Sequence, residues 1–342
     1  MSFNHYYKAE CAIIGGGVIG MSLALELHNR GAAVIVIERG HCLNGASIAA
    51  AGMLAVGDPH NPPEIRLLSQ LSESMYSSFL QRVEKLSCLQ IPFQTDVTVQ
   101  YQGDGTSTRL SEHSLDPRQL AESLQRAVRN TSILLLENAL VCAIRATADA
   151  SEILISGGIK VLAQKVVYAA GAWTSEVLNT MSNSLIPLMP RKGQMLRVRL
   201  PATLPLREVH RDERVYVVPR LTGRQAGSAL IGATVEDRGF DMTLRSGAMV
   251  QLRALASKLL PHLASETEAP LVESWTGLRP ATPDSLPVIG ALQQQGHFIA
   301  SGHYRNGILL APGTAEVMAD LMEGKQPRVD VSVFSPHRFT TQ

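Results

Sequence analysis

Three glycines and one glutamate carry the first chemistry legible in this chain. Gly15, Gly17 and Gly20 form a G-x-G-x-x-G pattern where an apolar run over residues 9–14 ends, and Glu38 closes the next apolar run, 33–37. This order suits a dinucleotide. Gly15 permits a tight turn, Gly17 lets the backbone approach a pyrophosphate, and Gly20 lets a helix pack close to the sheet. The diphosphate would rest on free N–H groups at the start of a helix over 18–30, beginning with Val18 and Ile19, and Glu38 would accept from ribose hydroxyls. The competing reading is a glycine-rich turn followed by a structural glutamate.

A lone charge marks a second site. Arg279 lies in Trp275-Thr276-Gly277-Leu278-Arg279-Pro280, which contains no other charged residue. A planar guanidinium matches a planar carboxylate because it makes two parallel charge-assisted hydrogen bonds. The alternative is a structural arginine paired with Asp284 or Glu273. Further on, Ser301-Gly302-His303-Tyr304-Arg305-Asn306-Gly307-Ile308 joins a strand end, two glycines and the opening of a helix. A helix N-terminus aimed at a cofactor places partial positive charge beside it. Reduced isoalloxazine carries negative charge around N1 and the C2 carbonyl and gains from that charge, whereas nicotinamide has no such need. A flavin is therefore expected. Arg305 can reach substrate or flavin, or stand solvated at the helix start; His303 can bond a flavin edge, or fill a structural role.

The frame that must hold these groups alternates strands and helices at both ends, with a β-rich middle. A run of small residues from His41 to Met53 lets backbone lie against something flat, either a cofactor or a tightly packed helix. Asn61-Pro62-Pro63 opens a helix over 64–86; residues 95–101 alternate as a strand, and 103–112 read as a polar loop. Asp116-Pro117 supplies N-cap and first-turn proline for a helix reaching 130. Strands are expected at 133–136, 139–145, 153–155 and 161–170. Strands broken by Pro and Gly over 187–235 read as an antiparallel sheet. An amphipathic helix over 244–260, strands and turns over 273–302, and a helix over 307–322 complete the pattern. The expected fold is α/β: a Rossmann-like dinucleotide-binding domain from residues 1–88, 116–186 and 271–342, with a largely antiparallel, β-rich substrate domain from 89–115 and 187–270.

Composition narrows the classes. With 31 basic and 30 acidic residues the net charge is +1, which gives no footprint for nucleic acid or an anionic membrane. Cys11, Cys42, Cys88 and Cys142 form no C-x-x-C pair, and Cys11 and Cys142 sit in apolar runs as core residues would. The first eight residues hold no apolar signal region and no run is long enough to span a bilayer, so a cytoplasmic setting is expected. The ten histidines show no metal-ligand spacing, and neither a G-x-S-x-G elbow nor a P-loop is present. A homo-oligomer is left open.

Five motifs carry a family resemblance. Gly15-Gly16-Gly17-Val18-Ile19-Gly20, Ala46-Ser47-x-Ala49-Ala50-Ala51-Gly52-Met53-Leu54, Tyr216-Val217-Val218-Pro219-Arg220, Gly277-Leu278-Arg279-Pro280 and Gly302 through Pro312 keep the order found in the D-amino-acid oxidase superfamily of FAD proteins. Within it the chain resembles the glycine oxidases of thiamine biosynthesis, over nearly its whole length. The resemblance implies oxidation of glycine, or of similar small amines and D-amino acids, by hydride transfer from Cα to flavin N5, with oxygen as acceptor and hydrogen peroxide as product. It places the substrate-carboxylate arginine at Arg279 and gives Tyr216 the second hydrogen bond. It also puts Ala46, Ser47, Gly52, Met53, Val141, Gly171, Asn306, Gly307 and Ile308 at the cofactor, beside Gly15, Gly17, Val18, Ile19, Gly20, Glu38, His303 and Arg305. No cysteine lies in the C-terminal third, where some amine oxidases of the superfamily tether FAD, so FAD is expected to be non-covalent.

Three departures stand against the family pattern. Residues 90–116 are shorter by several tens of positions; Val235 stands where Met is frequent, and Arg214 where His occurs. Two other outcomes stay open: a dehydrogenase of the same superfamily using a non-oxygen acceptor, and a degenerate FAD-binding protein without turnover.

Overall fold

The computed structural model describes residues 5–180 and 186–339, so the expectation about the first eight residues falls partly outside it. β1 (His5–Ile14) leads into α1 (Val18–Asn29) and β2 (Val34–Ile37), then the single turn α2 (Ala46–Ala49) and the long α3 (Arg66–Ser87). A hairpin, β3 (Thr95–Tyr101) and β4 (Ser107–Ser114), precedes α4 (Pro117–Arg129). Next come β5 (Leu134–Leu136), β6 (Val141–Ala146), β7 (Ser151–Ile155), β8 (Ile159–Tyr168) and the short α5 (Thr174–Leu178). β9 (Met189–Arg199), β10 (Val209–Arg211), β11 (Tyr216–Arg220) and β12 (Ser228–Gly232) follow. Last are α6 (Ser246–Leu259), β13 (Leu271–Ala281), β14 (Val288–Ala291), β15 (His297–Ser301) and α7 (Gly307–Met322).

The strands make two sheets. The first runs β14-β15-β8-β1-β2-β5, with β6 and β7 attached through β8. β1 lies parallel to both β2 and β8, pairing Ile14 with Ile37 on one side and with Tyr168 on the other. The ends of β1, β2 and β8 therefore meet, and the chain leaves them at Gly15, Glu38 and Ala169. Such a crevice at parallel strand ends is where doubly wound sheets hold ligands. The central strands are apolar on both faces because both are covered. α1, α3, α4 and α7 bury Met21, Leu25, Tyr76, Leu124 and Leu310 against one face. Ile153, Val161 and Ile186 pack on the other.

The second sheet runs β13-β9-β12-β11-β10-β3-β4 and is antiparallel except where β10 meets β3. α6 covers one face through Leu252 and Ala256. Residues 103–112, expected as a polar loop, are one only over 103–106: residues 107–114 form β4, paired with β3 from Ser107↔Tyr101 to Ser114↔Thr95. β4 is an edge strand with a mostly exposed first half, so it carries the polar side chains that protect an edge and that hid it from pattern reading. β13 also pairs along β9 in this sheet, so residues 271–281 lie here and not with the dinucleotide part. Cys142, read as a core residue, is exposed on β6, while Cys11 is buried as expected; all four cysteines are free.

Candidate cofactor and substrate site

One cavity runs from the ends of β1 and β2 to the face of the second sheet, and all but one of the site residues read from the sequence line it. The exception is Gly20, which is buried beneath: a Cβ there would collide with the Gly15 carbonyl, so this glycine seats α1 against the turn. Gly15 has φ +115° and passes against the Ala169 carbonyl, an approach closed to any side chain. Glu38 braces the loop, its carboxylate accepting from the Gly16 amide at 2.8 Å and the Gly40 amide at 2.9 Å. Ser47 Oγ accepts from the Val18 amide at 2.9 Å, which ties the small-residue run to the first turn of α1.

The cavity has the form of a cradle. A Cβ on Gly17 would meet only Ser47 Oγ, at 3.5 Å, and one on Gly45 or Gly171 would meet nothing within 4 Å. Three wall glycines thus face open space beside the start of α1, as a bulky anionic dinucleotide requires. Val141 and the missed residues Arg39 and Trp173 line the same stretch. The Arg39 guanidinium lies 3.8 Å over the Trp173 ring, and the ring stacks on Phe240 at 5.4 Å. The signal that could have found Arg39 was its place directly after Glu38. The residues present fit FAD: its diphosphate would lie at Gly17 and α1, its ribose near Glu38, and its flavin along Ala49–Met53 and the start of α7.

At the other end, Arg279 lies across Gly193, where any side chain would collide with the guanidinium. Its Nη1 donates to the Thr234 carbonyl at 3.1 Å. The pairing with Asp284 or Glu273 does not occur. Arg338 takes Asp284 at 2.8 Å, while Glu273 is held by Arg118 at 2.8 Å and Arg197 at 2.9 Å. Tyr216 reaches Met195 Sδ at 3.2 Å. Burial raises the Tyr216 pKa and the nearby Arg279 charge offsets part of that, so the hydroxyl is a neutral donor.

Arg305 is exposed at the rim, 3.5 Å from Asp58, a buried cavity-wall acid that the sequence reading missed and that no spacing signal marked. Burial opposes ionisation of Asp58, yet Arg211, the His60 amide and Arg305 together keep its pKa low. Asn306 Nδ2 donates to Asn61 Oδ1 at 3.0 Å, so the loop before α7 is tied to residues 58–61. His303 is buried with Nε2 3.0 Å from Thr314 Oγ1, and burial pushes its pKa down to about 3. It is a neutral wall residue. Met53 bridges to Ser114, which fixes the small-residue run to β4.

Fold and site together define a dinucleotide-binding protein whose cavity ends at an arginine that, among the described residues, has no carboxylate partner. The chain belongs to the FAD dependent oxidoreductase family: the family profile matches residues 10–114 and 108–321, its two segments meeting inside β4, within the stretch read as shortened. Glycine oxidase of Pseudomonas aeruginosa is 32% identical, over 95% of this chain and 97% of that protein. The bifunctional protein ThiO/ThiG of Nostoc sp. is 34% identical over 92% of this chain, which spans only 52% of that longer relative. Among solved structures, glycine oxidase from Geobacillus kaustophilus superposes with a TM-score of 0.90 at 27% identity, covering 97% of this chain and 99% of that one.

Proposed function

We infer that this protein is an FAD-dependent amino-acid oxidase acting on glycine and similarly small amines. The observation that carries the reading is Arg279: among the described residues it forms no ion pair, and it lines the same cavity as the dinucleotide cradle. A buried-edge guanidinium without a carboxylate of its own is suited to receive one from a substrate.

Bound FAD supplies the hydride acceptor. The chain's own residues orient the amine. Arg279 grips the substrate carboxylate through two parallel hydrogen bonds, and the neutral Tyr216 hydroxyl donates a third. That leaves Cα directed into the cavity and the amino group free to push electrons toward the departing hydride, so positioning dominates and a protein base is dispensable. The resulting imine hydrolyses to a 2-oxo acid and ammonia. Non-covalent FAD, oxygen as the final acceptor, a cytoplasmic setting and supply of the imine to thiamine synthesis belong to the same reading. The free cysteines and the lack, among the described residues, of a helix long and apolar enough to cross a membrane support the setting.

The deciding experiment gives glycine to the purified, air-equilibrated protein and measures peroxide, ammonia and glyoxylate. Equal amounts of the three are expected. Glycine turnover only with an added dye acceptor would instead assign a dehydrogenase, and no turnover under either condition would overturn the reading.

A further inference from the structure

Arg220 is a buried charge that the site described above does not explain. It ends β11, is 1% exposed, and does not line the cavity. Its Nη2 donates to the Ala51 carbonyl at 2.8 Å, while among the described residues its Nε and Nη1 have no hydrogen-bond partner. Among the described residues its acidic neighbour is Asp116, which stands 3.9 Å away and uses its other oxygen to cap α4 through the Arg118 amide. Burial lowers its pKa to about 10, with Arg197 and Arg118 acting in the same direction against Asp116. Burying a guanidinium with unmet donors is costly, so its one strong bond needs a reason.

The target of that bond supplies one. Ala51, Gly52 and Met53 all line the cavity. In a planar trans peptide the C=O and N–H point opposite ways. With the Ala51 carbonyl drawn out to Arg220, the Gly52 amide points back toward the cavity. The Gly52 carbonyl is likewise taken, by the Leu115 amide at 2.9 Å, which turns the Met53 amide away from β4. Among the described residues neither amide donates to another group of the chain. A Cβ on Gly52, whose φ is +85°, would strike the Leu115 carbonyl, so only glycine lets the segment lie this close to the chain leaving β4.

We propose that Arg220 is a positioning residue for the cofactor, holding the Ala51 carbonyl from outside the cavity so that the Gly52 and Met53 amides face the flavin and donate to its acceptor edge. The inference rests on the FAD reading above. The guanidinium polarises the Ala51–Gly52 peptide, so the amide becomes a stronger donor as negative charge develops on the flavin. Reduction is thereby favoured. Asp116 tempers the effect by standing beside the charge.

The test measures the two-electron midpoint potential of bound FAD in the loaded parent and in three variants, together with hydrogen exchange of the segment 49–54 with and without FAD. Arg220→Met should disfavour reduction at least tenfold, a shift of about 30 mV toward negative potential. Arg220→Lys, which keeps the charge, should stay within threefold of the parent. Asp116→Asn retains the cap and removes the tempering charge, so it should shift the opposite way. Exchange at 49–54 should slow at least tenfold on loading the parent. An unchanged potential in loaded Arg220→Met, a negative shift in Asp116→Asn, or no slowing of exchange each overturns the proposal. If Arg220→Met yields no loaded protein, the sign in Asp116→Asn decides. A parent that holds no FAD overturns the cofactor reading first, and this inference with it.

Discussion

Tyr76 on α3 donates its hydroxyl hydrogen bond to the carbonyl of Ile308 in the first turn of α7. The bond answers a defect in α7. Pro312 has no N–H, so the Ile308 carbonyl loses its partner four residues on. One residue later, the Gly313 amide turns to Ser72 Oγ at 3.0 Å, and Ser72 donates back to the Leu309 carbonyl at 2.6 Å. Gly313 allows this because a Cβ there would come within 2.8 Å of the Ser72 Cβ. Two side chains of α3 thus replace two backbone partners and fix the turn of α7 that opens onto the cavity.

Tyr76→Phe should destabilise the apoprotein by about 1–3 kcal/mol, because the buried Ile308 carbonyl keeps no donor. Pro312→Ala restores the missing amide, so Tyr76→Phe in that background should cost less by about 1 kcal/mol or more. Urea titrations of the four proteins measure the coupling. Strictly additive costs would show that Tyr76 acts through packing alone.

Gly17 separates cofactor binding from folding. Its φ of −75° suits any residue and a Cβ would meet only Ser47 Oγ at 3.5 Å. Gly17→Ala should therefore leave apoprotein stability within about 1 kcal/mol of the parent. FAD affinity, followed by flavin fluorescence quenching, should fall at least tenfold because the methyl enters the cradle. Parent-like affinity would move the diphosphate away from Gly17. Acid or heat should release all FAD from the parent chain, as non-covalent binding requires.

Arg279→Ala should lower kcat/KM for glycine by two to four orders of magnitude, from a lost bidentate contact of roughly 3–5 kcal/mol. FAD content should stay near normal. Arg279→Lys should recover little, since a point charge cannot reproduce the fork. Steady-state kinetics on FAD-loaded protein decide it; parent-like efficiency in Arg279→Ala would place the clamp elsewhere.

Acid sensitivity should be traceable to His297. Its ring lies between Ser151 Oγ at 2.7 Å and Tyr168 Oη at 3.0 Å, and burial pushes its pKa down to about 4 from an ordinary 6.5. The fold holds the neutral form, so the unfolded chain takes up the proton first. Stability from this site is complete above pH 6.5 and is lost as pH falls from there through about 4, by about 3 kcal/mol in all. His303, depressed in the same direction, adds to the slope. Urea midpoints measured from pH 7 to pH 4 should fall less steeply in His297→Gln than in the parent. Parallel profiles would remove His297 as the cause.

What could be read from the sequence was whatever declares itself locally. Gly15, Gly17, Gly20 and Glu38 sit within one strand–turn–helix–strand unit, where spacing alone fixes geometry. Arg279 stood out because its neighbours carry no charge. Arg220 did not, although it closes the Tyr216–Arg220 motif: whether an arginine at a strand end is solvated or 1% exposed depends on the distant segments, here those at Ala51 and Asp116, that the fold brings against it. Asp58 meets Arg305 only through the fold, 247 positions apart. β4 was hidden because an edge strand and a polar loop draw on the same residues.

The hairpin β3–β4 bears on substrate range. The cavity wall near Met53 rests on β4 through the Met53↔Ser114 bridge, and among the described residues the stretch 90–116 supplies the two-stranded hairpin there. The turn between its strands, near Gly103 and Gly105, is exposed. A wall of that size leaves the entrance more open than a longer insertion would. Burying one methylene is worth only about 0.8 kcal/mol, so a shallow pocket cannot prefer glycine strongly over sarcosine or D-alanine. The kcat/KM values for these three should fall within about tenfold of one another, a spread of about 1.4 kcal/mol in transition-state binding. D-Phenylalanine should also be turned over, since its ring can project through the open side. Steady-state kinetics across the four amines measure this. A preference for glycine by several orders of magnitude would show that Arg305 and the segment around Asp58, 3.5 Å apart, close the pocket in place of the hairpin.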